Sequence, residues 1–266
     1  IYTGTTSSAA SDVYKRQLFG AAWAVLPAWL AAKRGSHIVI TTIMFNFIGA
    51  AVLNYMLVNV MRPEGSMDPA SAKFPDGTNL PSLHDILAIV GIEFSKSAPA
   101  NLAFILALIA CVLVWLLIWR TRFGFELRAY GKSESAAVYA GISPTKIIVV
   151  AMLISGGLAG MMAVNNVMGE AERLVLNSVE GAGFIGIAVA LMGRNHPVGI
   201  LLSAILFGFL YQGGAELALW MSIPRELIVV IQGLVILFTG ALDNMVRMPI
   251  EKVFLALRRS KQAAGE

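Results

Sequence analysis

The sequence predicts an all-α protein, a polytopic bundle of transmembrane helices in which some helices are short or broken. Of its 266 residues, 57% are hydrophobic and only 14% are charged, whereas about a quarter of an average soluble domain is charged. The apolar residues also stand in long blocks that carry no charge. So few charges cannot cover a water-soluble fold, and lipid is therefore the expected solvent.

About seven apolar segments are predicted to enter the membrane. Three are uncharged and close to the roughly 20 residues that a bilayer requires: 38–60, 100–119 and 147–168. Four others are shorter or interrupted: 18–32, 181–193, 197–215 and 227–242. As a helix, 181–193 would reach only about 20 Å, so we expect a half-span buried among other helices.

The distribution of Lys and Arg predicts which connections face the cytoplasm. Thirteen of them lie in one set of connections, against five in the other set, and the basic side of a membrane protein is the cytoplasmic one. The basic set consists of 32–37, 120–146, 194–196 and 243–266. The loop 61–99 is then external, with a short helix favoured over 82–90.

Composition also predicts the outer limits of the membrane domain. Residues 1–17 are polar and rich in Ser and Thr, and we interpret them as a leader that is not part of the native domain. The transmembrane domain would cover 18–254, with a truncated first span, and 255–266 would form a basic cytoplasmic tail. The scattered basic residues do not indicate nucleic-acid binding, and the single Cys111 can form neither an internal disulfide nor a cysteine metal site.

The predicted cytoplasmic loop 120–146 carries the signals of a short helix. Ser133 is a favourable N-cap, and Glu134 places negative charge in the first turn. Gly141 suits the left-handed backbone at a helix end, and Pro144 prevents continuation. Two turns do not persist alone in water, so the helix either docks onto a partner protein or lies on its own membrane domain.

A phosphate-binding loop is not predicted in the same stretch. Gly131, Lys132 and Ser133 match the end of the G-x-x-x-x-G-K-[ST] motif. However, Glu126 replaces the first required glycine, and no strand is predicted before it. Nucleotide binding by this chain is therefore not expected.

Four segments have a distinctive residue order: GSHIVITTIMFN, RAYGKSESAAVYAGIS, SGGLAGMMAVNNVMG and GAGFIGIAVALMGRNHPVGILLSAILFG. They resemble the permease subunits of ABC importers, in the branch that serves simple sugars, nucleosides and branched-chain amino acids. The resemblance covers about residues 33–254, and the last segment is most similar to the sugar and nucleoside permeases. Ile38 and Asn166 depart from the family, which often has Glu at these positions.

The resemblance implies a permease that imports nucleosides or simple sugars across the cytoplasmic membrane of a prokaryote by alternating access. A separate ATPase subunit would bind ATP and Mg²⁺, and no cofactor is expected on this chain. The other implied partners are a second, identical or related permease subunit and an extracellular substrate-binding protein. Residues 120–146 would then couple to the ATPase through Arg128, Gly131, Ser133, Glu134, Ala136, Ala137, Tyr139, Gly141 and Ile142.

Polar side chains within the spans are candidates for the substrate route. Thr42, Asn46 and Asn54 fall at four- and eight-residue spacings and form a polar stripe on one helix. They could line a route for hydroxylated cargo or join helices through hydrogen bonds. Asn165 and Asn166, near the external end of their span, allow the same two readings.

Glycines in two other segments favour helix packing. Gly156 and Gly160 form a small-xxx-small pair, which allows close approach of two helices. Gly183 and Gly186 similarly suggest tight packing of the short segment 181–193.

Two other classes of function are less well supported by the residues. An ion-gradient-driven transporter or channel needs ionisable groups inside its spans, and the three clearest spans have none, with Glu216 and Glu226 the only nearby candidates. A metal site is not indicated, because the three histidines are far apart in the sequence. A membrane enzyme is not indicated either, because no arrangement of serine, cysteine or carboxylate residues suggests catalysis. An ABC permease for branched-chain amino acids is the nearer alternative.

Overall fold

The computed structural model describes residues 5–63, 65, 68–74, 101–176, 181–221, 224, 227 and 229–238. The helices of this part are α1 Thr5–Arg34, α2 Ile38–Met56, α3 Leu102–Arg120, α4 Arg122–Lys132, α5 Glu134–Tyr139, α6 Pro144–Ala163, α7 Ala182–Met192, α8 Pro197–Met221 and α9 Val229–Phe238. Helices α2 and α6 continue into π-helical turns, Leu57–Met61 and Val164–Glu170. The predicted helix at 82–90, Glu226 and the tail 255–266 lie outside the described residues.

These helices confirm the prediction of a polytopic α-helical membrane protein. Four are long and apolar enough to cross a bilayer: Ile38–Met61, Leu102–Arg120, Pro144–Gly169 and Pro197–Trp220. Three of them coincide with the three charge-free segments. Their large apolar side chains are widely exposed, which would be unfavourable in water and is expected where lipid or another membrane subunit covers the surface.

Helix α1 is longer than the predicted span 18–32. It begins at Thr5, continues through most of the segment interpreted as a leader, and ends at Arg34. Within that segment, the Arg16 guanidinium donates a hydrogen bond to the carbonyl of Ala163 at 3.0 Å. The interpretation of residues 1–17 as non-native stays a prediction, but part of this segment packs on α6.

Glycines allow the backbones of α1 and α6 to come into contact. A Cβ atom on Gly156 would lie 2.6 Å from the carbonyl oxygen of Gly20, and one on Gly160 would lie 2.5 Å from that of Arg16. Real Cβ atoms essentially never come so close to an oxygen. The α1–α6 contact therefore requires glycine at both positions of the small-xxx-small pair.

The chain after α2 is tied to the chain after α6 by backbone pairing. Ala70 and Val175 form an isolated antiparallel bridge, and Ser71 N–H donates to Leu174 O at 2.9 Å. The Ser71 hydroxyl oxygen accepts from Leu174 N–H at 2.9 Å. These bonds satisfy backbone groups at the ends of two spans that are predicted to face outside.

Residues 181–266 form a second compact unit. The 11 residues of α7 rise about 16 Å, roughly half of a 30 Å hydrocarbon core. A tight turn follows, in which Arg194 and Asn195 have φ values of 53° and 55°. Ala188 and Val189 of α7 then pack on Phe207 of α8.

The packing role predicted for Gly183 and Gly186 has no counterpart in the described structure. A Cβ atom at either position would meet no described atom within 4 Å. The Gly156 and Gly160 pair differs because α1 lies directly against it.

Replacing Gly160 by alanine should weaken the α1–α6 contact, because the added methyl group overlaps the carbonyl of Arg16. We expect a loss of about 1–3 kcal/mol in the free energy of unfolding, typical of overpacked cores. Thermal unfolding of the purified chain in detergent measures the change. Gly157→Ala is the matched control, since its Cβ atom would lie at an ordinary 3.6 Å from Gln17 O; equal losses in both variants would contradict the close contact.

Candidate functional site

The short helix predicted in the loop 120–146 is present as α5, with the expected caps. The Ser133 hydroxyl oxygen accepts from Ala136 N–H at 3.4 Å. Gly141 has φ +81°, and its N–H donates to Val138 O, while Ile142 N–H donates to Ala137 O, both at 3.0 Å. This pair of bonds is the Schellman arrangement, in which a left-handed glycine closes a helix. Both predicted ends are confirmed.

A second helix, α4, precedes α5 and was missed by the sequence reasoning. The Thr121 side chain accepts from Gly124 N–H at 3.1 Å and caps its N-terminus. Phe123, Leu127 and Tyr130 recur at helical spacing and are half-buried, so the apolar periodicity of this segment does indicate a helix. Helix α4 supplies the surface on which α5 packs.

The turn between α3 and α4 depends on Gly124. The Thr121 hydroxyl donates back to the carbonyl of Leu117 at 2.5 Å. A Cβ atom on the buried Gly124 would collide with the carbonyl oxygens of Leu117 and Ile118. The sharp direction change where the chain leaves the span therefore requires a residue without a side chain at this position.

The predicted coupling residues divide between support and surface. Ala137 is 2% exposed and faces the supporting helices, whereas Tyr139 is 94% exposed. Ile142 is half-buried, and the other members are exposed: Arg128, Gly131, Ser133, Glu134, Ala136 and Gly141. An aromatic side chain held on a rigid, capped helix and left without cover is suited to insert into another protein.

Tyr130 links α4 to α5 through the carboxylate of Glu134. Desolvation raises the pKa of the Tyr130 phenol above its usual value of 10.0, and the hydrogen bond that the phenol donates to Glu134 and the negative charge of that residue raise it further. The neutral phenol is therefore the form that the fold favours.

Two of the predicted route residues lie on a cavity between α2, α1 and α6. Thr42 and Asn46 line this cavity of ≈ 560 Å³, together with Trp23 and the two packing glycines. The Thr42 hydroxyl is directed to its own helix, 2.9 Å from Ile38 O. Trp23 packs edge-to-face on Phe45 with ring centroids 6.0 Å apart, so two aromatic rings in contact form one part of the lining.

Asn165 lies on a different cavity, between α3 and α6. The volume is ≈ 580 Å³, and the lining is apolar except for Asn165 and Asn101. The Asn101 amide donates to the Asn165 side-chain oxygen at 3.0 Å, while its own oxygen caps α3 through Ala103 N–H at 3.0 Å. Asn101 was not predicted as a site residue, although an Asn immediately before an apolar run indicates an N-cap.

The five predicted route residues are thus not gathered into one site. Asn54 is exposed and lines neither cavity, and Asn166 is half-buried in the π-helical turn after α6. There the Asn166 carbonyl accepts from Ala171 N–H at 3.0 Å. The described residues contain no cluster of three or more His, Cys, Asp or Glu that could hold a metal ion.

A protein family described as "Branched-chain amino acid transport system / permease component" matches residues 16–240. The chain belongs to this family. The match confirms the resemblance found in the sequence and includes α5 and both cavities. It also begins within α1, ahead of residue 33, where the resemblance in the sequence starts.

Named relatives in this permease family are transport proteins of three microorganisms. The "Guanosine ABC transporter permease protein NupP" of Bacillus subtilis is 35% identical over 225 residues, 84% of this chain and 62% of the relative. The "Glucose ABC transporter permease protein TsgB13" of Haloferax volcanii is 32% identical, covering 82% of this chain and 57% of the relative. The "Nucleoside ABC transporter permease protein NupB" of Lactococcus lactis is 34% identical, covering 83% and 60%.

The chain therefore spans between 57% and 62% of the length of these curated relatives. No solved structure matches it.

The raised pKa of Tyr130 predicts that its phenol stays neutral and bonded to Glu134 at neutral pH, and that this interaction is lost in strong alkali. Because the folded-state pKa lies above the usual value, the contribution of the neutral phenol to stability is complete below about pH 10. It disappears as the pH rises through the raised pKa. The pKa is measured by following tyrosine ionisation through ultraviolet absorbance as the pH is raised. Subtracting the titration curve of Tyr130→Phe from that of the unmodified chain isolates Tyr130.

Glu134→Gln tests the causes of this shift. It should lower the pKa of Tyr130 without returning it fully to the usual value, since desolvation is the largest cause. An unchanged titration in Glu134→Gln would contradict the link between the two side chains.

Proposed function

We propose that this chain is a membrane-spanning subunit of an ABC importer that carries nucleosides or simple sugars across the cytoplasmic membrane of a prokaryote. The family match makes it a permease component. The observation that carries the rest is α5, a capped helix that presents a 94% exposed Tyr139 on the side predicted to be cytoplasmic.

In this proposal, α5 docks into a separate ATPase subunit that binds ATP and Mg²⁺. Ala137 anchors α5 on its own chain, and Tyr139 enters the ATPase. The capped ends support this role because they keep a six-residue helix folded without the partner, so little ordering entropy is lost on docking. A second permease subunit and an extracellular substrate-binding protein complete the importer.

Helix α6 is the element that would transmit the movement. It begins at Pro144, three residues after the glycine that ends α5, and its apolar helix continues to Gly169. Over 26 residues it extends about 39 Å, from the docking helix to the cavity at Asn165. A displacement of α5 by the ATPase would thus tilt α6 and alter the shape of the cavity at Asn165. In this proposal, that movement is the basis of alternating access.

The cavity lining favours a neutral, hydroxylated cargo. Asn101 and Asn165 offer amide donors and acceptors, and none of the described residues that line this cavity is charged. Nucleosides and simple sugars need only such neutral hydrogen-bonding groups. Three relatives are named for guanosine, glucose or nucleosides, which supports the same substrate class.

Branched-chain amino acids are the second candidate cargo, because the family description names them. A zwitterion would require partners for an ammonium and a carboxylate, and the described lining provides none. Parallel uptake assays with labelled leucine, guanosine and glucose distinguish these substrates.

Docking through α5 can be tested by replacing Gly141 with valine. Valine resists a φ of +81° at a cost of about 1–2 kcal/mol, and this opens the C-terminal cap and displaces Ile142. We expect co-purification with the ATPase encoded beside the chain to fall by roughly tenfold.

Gly35→Val provides the matched control for this experiment. Gly35 also has a positive φ, +65°, with no atom within 4 Å of an added Cβ, and it lies in another turn predicted to face the cytoplasm. Association should survive this change. ATPase binding that withstands Gly141→Val, together with ATP-independent uptake, would remove the importer hypothesis.

The cavity at Asn165 predicts a transport defect in Asn165→Leu. This change removes the acceptor of the Asn101 amide and one polar partner of the cargo, so we expect uptake to fall roughly fivefold, corresponding to about 1 kcal/mol for one hydrogen bond. Uptake of labelled guanosine and glucose by cells that carry the complete transporter measures it. Asn59→Leu is the control, because the Asn59 amide donates to its own helix at Tyr55 O; equal defects would place the route elsewhere.

A further inference from the structure

A third cavity lies where α3 leaves its membrane span and turns into α4. Its volume is ≈ 620 Å³, and its lining includes the side chains of Arg120, Arg122 and Arg128. Glu126 is the one acidic residue in the lining, so the formal lining charge is positive by two. No salt bridge among the described residues neutralises any of the three arginines.

Two of the arginines are held in place by neutral contacts. The Arg120 guanidinium lies 5.8 Å from the ring centroid of Trp115, and Arg128 Nε donates to Gly124 O at 3.3 Å. Neither contact removes positive charge. The lining thus keeps a net positive charge at this turn, and an anion is the complementary ligand.

An apolar track on α3 leads to this cavity. Leu113, Leu116 and Arg120 follow one another at helical spacing and share a face of the helix. Leu113 is 59% exposed and Leu116 is 41% exposed, and Phe125 at the cavity is 64% exposed. A ligand that fits both features carries a negative head and a long apolar tail.

We propose that this cavity binds the phosphate group of an anionic phospholipid, whose acyl chains lie along Leu113 and Leu116. Guanidinium groups match phosphate oxygens through paired hydrogen bonds, and Arg120 stands at the end of a membrane span, where phospholipid headgroups are found. An acidic segment of a soluble protein or a free phosphate ion would leave the apolar track unused. The bound lipid would brace the turn between α3 and α4, on which α5 rests.

The test is lipid retention by the full chain in nanodiscs of phosphatidylcholine mixed with phosphatidylglycerol. Native mass spectrometry after release counts the lipids that remain bound. The unmodified chain should retain phosphatidylglycerol preferentially, and Arg122→Gln should reduce this preference roughly fivefold. Arg122→Gln leaves the Trp115 and Gly124 contacts intact, so a loss cannot be attributed to a disrupted fold. The combined Arg120→Gln, Arg122→Gln and Arg128→Gln variant should abolish the preference.

The matched control removes three cations that do not line the cavity, through Lys33→Gln, Lys132→Gln and Lys146→Gln. This variant should keep its preference for phosphatidylglycerol. Undiminished preference in the triple arginine variant would overturn the proposal, as would an equal loss in the lysine control. Displacement of the retained lipid by inorganic phosphate would overturn it in favour of a free-phosphate site.

Discussion

The backbone contact between α1 and α6 is the constraint on which the first unit depends. In lipid there is little hydrophobic gain from joining two apolar helices, so their association relies on close van der Waals contact. Gly20, Gly156 and Gly160 permit that contact because each brings a bare backbone surface to the other helix. With α6 fixed in this way, one cavity opens between α1, α2 and α6 and another between α3 and α6, and the two are lined by three of the predicted route residues.

Helix α6 also joins the two features that the proposed function requires. Its first residue follows the Schellman cap of α5, and its far end passes into the π-helical turn that carries Asn165 and Asn166. A π-helical turn has wider hydrogen bonding than an α-helix and is frequent at functional sites. The same helix thus holds the docking element by one end and an amide at a cavity by the other, with the glycine contact between them.

The turn between α3 and α4 gives α5 a platform. Gly124 lets α4 begin directly against the last carbonyls of α3. Helix α4 then supports α5, where Ala137 is buried and where the Tyr130 phenol interacts with Glu134. In the lipid proposal, the arginines that line the cavity at this turn tie the same platform to the membrane surface. In the proposed function, these contacts support the six-residue helix α5 where the ATPase would dock.

The sequence by itself determined that lipid surrounds the helices, where three of the four long spans begin and end to within a few residues, and which residues cap α5. These properties depend on composition and on signals only a few residues apart. Tertiary structure decided what depends on distant partners. Gly156 and Gly160 meet another helix, whereas an added Cβ at Gly183 or Gly186 would meet none of the described atoms. The five route residues separate onto different surfaces because helix rotation is set by neighbouring helices. The π-helical turns and the Asn101 to Asn165 bond were likewise beyond prediction, since the latter joins residues 64 positions apart.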